Sequence, residues 1–98
     1  MIFAALVEAA GRGELLLVDS GLCRFHRRRD GTTTIREILV LPGASRRGVG
    51  RRLVESAGRG GGRLVARCPA GCESNGFWAA IGFRLGGTEG RLNVWVRD

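Results

Sequence analysis

The stretch Glu37–Val54, EILVLPGASRRGVGRRLV, decides how the rest of the chain is read. Ile38, Leu39, Val40 and Leu41 form an unbroken apolar run, as in a strand buried on both faces. Pro42 and Gly43 stop it. A short loop leads to Arg46-Arg47-Gly48-Val49-Gly50. The following run sets Val49, Leu53, Val54 and Ala57 on one helical side and Arg51, Arg52 and Glu55 on the other. The pattern is strand, glycine-rich turn, helix N-terminus.

Such a turn outlines an anion site. The first amides of a helix have no partner inside it, and the helix dipole adds partial positive charge there. Glycines let a ligand come close to the backbone, and a pyrophosphate suits the position. The spacing is neither GxGxxG nor a Walker loop, because no Gly-Lys-Ser/Thr follows. A plain tight connection fits the same residues.

Val40-Leu41-Pro42, then Arg47-Gly48-Val49-Gly50, then Leu53 resembles the coenzyme A motif of the GNAT superfamily of N-acetyltransferases. Downstream, Asn75-Gly76-Phe77-Trp78-Ala79-Ala80-Ile81-Gly82-Phe83 is similar to that family's N-x-F-Y-x-x-x-G-F. The likeness runs from residue 37 onward; the first 36 residues match only in outline. It implies an α/β (α+β) domain with a mixed, mostly antiparallel sheet and two packed helices. It also implies acetyl transfer from acetyl-CoA to an amine acceptor.

By that resemblance the pyrophosphate falls to amides around Arg46, Arg47, Gly48, Val49, Gly50 and Arg51. The pantetheine arm falls to the backbone of Leu39, Val40 and Leu41, where the strand splays from its neighbour. Ser45 stands where the family often has Arg or Gln, and Arg46 is its nearest replacement. Asn75 contacts the cofactor or caps its helix. Trp78 occupies the position of the tyrosine that reprotonates the departing thiolate. Trp offers only an indole N–H, and the chain has no tyrosine. Core packing is the alternative for Phe77 and Trp78.

Glu37 is the candidate general base. On simple alternation it shares a face with Ile35 and Leu39, where a carboxylate is costly unless paired or protonated. Pairing with Arg24, Arg28 or Arg36 at a partly exposed strand start is the alternative, and a bulge would change its face. His26, the only histidine, reads as a surface residue or a second-choice base. Cys68 reads as a small buried residue or a nucleophile. Cys68, Cys72 and His26 have poor spacing for a metal and no fourth ligand, so none is expected.

The chain has 98 residues and 44% hydrophobic content, consistent with one domain over residues 1–98. No apolar run is long enough to span a membrane. MIFAALVEAA lacks a basic leader region and carries Glu8 early, so it reads as a strand of a cytoplasmic protein. Three cysteines give no disulfide framework. The net charge is +7, and every basic side chain other than His26 is arginine. GC-rich codon usage accounts for that; an anionic partner such as coenzyme A or nucleic acid also suits it. Against a nucleic-acid module, the run Arg24–Arg29 holds Phe25 as its sole aromatic.

In chain order the expected elements are strands at 2–9, 14–19 and 22–29, then a hairpin at Asp30-Gly31 into the central strand. On the third strand Leu22, Arg24, His26 and Arg28 share one face. The helix of the opening stretch follows. Residues 63–68 form a strand parallel to the central one, and a second helix starts at Glu73 or Ser74 with Gly82 as its C-cap. Residues 83–85 and 92–96 form a closing hairpin across the turn 86–90. Family members usually begin with a strand and two helices, so a strand start implies an open acceptor side. A second copy, as a homodimer, could complete it.

Overall fold

The computed structural model describes residues 2–44 and 47–98. The elements are α1 (Ile2–Gly11), β1 (Leu15–Val18), β2 (Gly21–Arg27), β3 (Thr33–Val40), a 3-10 turn (Pro42–Ala44), α2 (Val49–Ala57), β4 (Leu64–Pro69), α3 (Ser74–Ala80), β5 (Arg84–Glu89) and β6 (Leu92–Arg97). They form a mixed α+β fold whose six strands run in the order β1-β2-β3-β4-β6-β5. Every neighbouring pair is antiparallel except β3 and β4. No described helix is long and apolar enough to cross a membrane.

The first element departs from the sequence reading. Residues 2–9 are helix rather than strand, so among the described residues three α-helices accompany the sheet instead of two. Alanine is the strongest helix former, and Ala4, Ala5, Ala9 and Ala10 dominate a run with no turn residue. An apolar run of this length carries no clear period. The helix ends through Arg12 N–H to Glu8 O and Glu14 N–H to Ala9 O.

β1, β2 and β3 make the expected meander. At the β2–β3 turn Gly31 takes φ 90°, and the Thr32 N–H donates to Asp30 Oδ1. The core lies on one face of the sheet, where Cys23, Phe25, Ile35, Leu64, Ala66 and Cys68 meet Val49, Leu53, Val54 and Ala57 of α2. Trp78, Ile81 and Phe83 close the same core from the α3 side. Arg51, Arg52 and Glu55 face outward, as the helical spacing predicts.

α3 ends in a Schellman motif. Gly82 takes φ 95°, its N–H donates to Ala79 O, and the Phe83 N–H reaches back to Trp78 O. The Trp78 and Phe83 rings pack edge to face at 5.0 Å, the apolar contact that accompanies such a cap. The closing hairpin forms as expected, with β5 continuing to Glu89 and an irregularity between Leu85 and Gly87.

Candidate functional site

Two features of β3 build the site. The first is a bulge. Arg24 pairs with Glu37 while Phe25 pairs with Ile35, so Arg36 is the extra residue. The side-chain alternation reverses there. Thr33 and Ile35 point into the core, then Ile38 and Val40 do, and Leu39 is exposed. Glu37 therefore does not share a face with Ile35. It lies on the outward face with Leu39, beside Arg24, whose Nη2 donates to Glu37 Oε1 at 2.8 Å. The signal was present in the sequence: Arg36-Glu37 places two charges in succession between Ile35 and Ile38.

The second feature is a splay. β3 and β4 pair only at Thr33↔Leu64, Thr34↔Val65 and Ile35↔Ala66, although β3 runs on to Val40 and β4 to Pro69. Backbone groups of an antiparallel strand alternate sides. Leu41 N–H donates to Ser20 O at 2.8 Å, which commits Leu41 and Leu39 to the β2 side. Ile38 and Val40 thus present their backbone groups to the splay. A cleft of roughly 140 Å³ occupies it, walled by Glu37, Ile38, Cys68, Ser74 and Trp78 among others.

A separate groove of roughly 380 Å³ lies between β3, α3 and the start of α2, lined by Val40, Gly48, Gly50, Arg51, Phe77 and Ala80 among others. At its end Gly48 caps α2 with φ 74° and ψ 16°, a left-handed conformation that glycine adopts without strain. The first intrahelical bond runs from Arg52 N–H to Gly48 O, so the amides of Val49, Gly50 and Arg51 precede the helical ladder. The Arg47 amide is committed to Ala44 O. Arg46 and Ser45 lie outside the described residues. Gly50 has a packing role as well: a Cβ there would stand 2.9 Å from Phe77 Cε1.

Asn75 and Trp78 are held in the framework. The Asn75 amide donates to Pro69 O, Ala70 O and Cys72 O, and its Oδ1 accepts from Asn93 Nδ2 and Trp95 Nε1. It ties the β4–α3 turn to β6 rather than capping its own helix. Trp78 is 4% exposed and packs against Phe77 and Phe83. One edge of it walls the cleft.

Near the cleft, Ser74 Oγ contacts both Cys72 Sγ at 3.1 Å and Cys68 Sγ at 3.5 Å. The Ser74 contacts hold the exposed Cys72 thiol below its ordinary range, whereas burial pushes Cys23 up to about 12. His26 is bonded through Nδ1 to Glu14 Oε2 at 2.6 Å. Hydrogen bonds from Arg12 and then His26 hold Glu14 below its ordinary range. The first basic run is partly engaged: Arg27 donates to Ala57 O and stacks over Phe25 at 5.0 Å.

No family model and no curated protein matches the chain. Solved structures do. PaiA N-acetyltransferase from Thermoplasma acidophilum, in complex with coenzyme A, superposes with a TM-score of 0.78 at 13% identity, over 99% of this chain and 69% of that one. A GNAT-family acetyltransferase from Listeria monocytogenes gives 0.72 at 13% identity, over 97% and 68%. An acetyltransferase from Bacillus subtilis, also in complex with CoA, gives 0.72 at 18% identity, over 97% and 82%. The chain has the GNAT acetyltransferase fold.

Proposed function

We propose that the protein is an acetyl-CoA-dependent N-acetyltransferase. The observation that carries this reading is the splay of β3 from β4, with a groove between β3, α3 and the first turn of α2 lying further along β3. Unpaired backbone on Ile38 and Val40 suits an amide-bearing arm, and the amides of Val49, Gly50 and Arg51 suit a pyrophosphate. Of the backbone contacts expected at Leu39, Val40 and Leu41, the alternation of β3 favours Val40, with Ile38 in place of the other two. Bound acetyl-CoA would supply the acetyl thioester.

Glu37 is the proposed base, acting directly or through a water. It stands at the cleft, where an amine proton could pass to its carboxylate as the nitrogen forms the new C–N bond. The C–S bond breaks in the same transfer, and the departing thiolate takes its proton from solvent. No tyrosine exists to supply it. Held at the cleft, amine and thioester would react as one bound pair, which contributes much of the rate in such transfers.

A second reading is a coenzyme A-binding domain without catalysis. Two observations favour it: Arg24 engages Glu37, and buried Trp78 stands at the family's tyrosine position. Calorimetric titration of acetyl-CoA and coenzyme A into wild type and Gly48→Glu tests both. Micromolar binding that the variant loses, with its circular dichroism unchanged, supports the cofactor site. Absence of binding by folded wild type rejects both readings. Binding without turnover across an amine panel favours the second.

A further inference from the structure

The outward face of the sheet carries a second cavity that this assignment does not use. It has roughly 550 Å³ and is lined by His26, Arg28, Thr34, Ile35, Arg36 and Arg67. Ile35, Arg36 and Arg67 also line the cleft in the splay, so the two spaces share a wall. The bulge puts Arg36 there, next to Glu37.

No carboxylate lines this cavity. Arg67 is held by Glu89 through Nε at 2.9 Å and Nη2 at 3.3 Å, which fixes its guanidinium and leaves Nη1 outside that pair. His26 is anchored through Nδ1, leaving Nε2 as its free ring nitrogen. Arg28 and Arg36 form no ion pair among the described residues. Three guanidiniums thus surround one space: Arg67 is paired with Glu89, Arg28 has the Asp30 carboxylate near it, and Arg36 forms no ion pair among the described residues. Arginines gathered in this way repel one another, and their planar donors match carboxylate and phosphate oxygens.

We infer that this cavity binds the anionic group of the acceptor, so that the acetylated amine belongs to a small molecule that also carries a phosphate or carboxylate. The inference rests on the acetyltransferase reading for its amine and on the cavity alone for its anion. An anion between Arg28, Arg36 and Arg67 would leave an amine on the same small molecule within reach of Glu37 and the cleft.

O-phosphoethanolamine and ethanolamine, which differ by the phosphate alone, test it. With saturating acetyl-CoA, kcat/KM is expected to be at least about tenfold higher for the phosphorylated amine, and Arg36→Gln and Arg28→Gln should each reduce that ratio severalfold. Arg59→Gln, in the turn after α2, should leave the ratio unchanged. Equal or better use of ethanolamine by wild type overturns the inference. A binding arm separates this from the parent reading. Phosphoethanolamine titrated into labelled protein should shift the Thr34 and Arg36 amide resonances, and Arg36→Gln should lose the response. Such binding without acetyl-CoA binding supports the cavity and rejects the acetyltransferase. Acetyl-CoA binding with no such shifts rejects the cavity and leaves the acetyltransferase standing.

Discussion

Arg24 and Glu37 face each other across β2 and β3, with Nη2 donating to Oε1 over 2.8 Å, on the side of the sheet away from α2. The pair engages one carboxylate oxygen and leaves Oε2 for a substrate. If Glu37 is the base, Glu37→Gln should lower kcat by a factor of about 10² to 10⁴. Acetyl-CoA affinity by calorimetry should stay within about twofold, because the proposed cofactor contacts are backbone. A fall in kcat of less than about threefold would make the carboxylate a partner of Arg24 and nothing more.

Asn75 should matter for stability rather than chemistry. Its side chain joins three carbonyls of the β4–α3 turn to two donors on β6. Asn75→Ala strands those groups, of which the Asn93 and Trp95 donors are partly buried, and should destabilise the fold by about 1–2 kcal/mol. Urea unfolding measures this as a lower midpoint at unchanged slope. A change below about 0.5 kcal/mol would mean that water replaces the amide without loss.

The cysteines should separate by reactivity. Cys72 is exposed and its thiol is lowered by Ser74, whereas Cys23 is fully buried and raised to about 12. The thiolate is the reacting form. Near neutral pH, Ellman's reagent should therefore modify one thiol rapidly, and Cys72→Ser should remove that phase. Ser74→Ala should slow it. Cys23 should react only after unfolding; its rapid reaction in native protein would contradict the core described above.

Acid should destabilise the protein through its arginine-held carboxylates. Glu14, lowered by Arg12 and His26, and Glu89, lowered by Arg67, have folded-state values below their ordinary 4.5. The unfolded chain then binds protons first as pH falls, so stability present above about 4.5 is lost progressively below it. Urea midpoints measured between about pH 7 and pH 3 should show that decline, and Glu14→Gln should flatten it. An equal slope in the variant would exclude Glu14 as a contributor.

Much of the fold was legible because turn chemistry marks it. Pro42-Gly43, Asp30-Gly31 and Gly82 each end or reverse an element where the structure does. The α2 register followed from Val49, Leu53, Val54 and Ala57 alone. α1 was misread because residues 2–9 offer composition without a period. The bulge at Arg36 left only a broken alternation, which two opposite placements of Glu37 fit equally until β2 is laid beside it. Asn75 makes its bonds to residues distant in the chain, on β6, and no local pattern announces them. The splay itself is a relation between two strands separated by a helix, so neither strand's sequence contains it.

The three residue pairs that join β3 to β4 make the sheet two three-stranded leaves on a short seam. From Ile35 to Val40 the free part of β3 reaches about 16 Å at roughly 3.3 Å per residue. By lever geometry over that length, a rotation of about 5° at the seam moves Val40 by roughly 1.4 Å. Aperture is thus a mechanical degree of freedom that so short a seam constrains little. A molecule lying between the leaves would bridge them as a missing strand does.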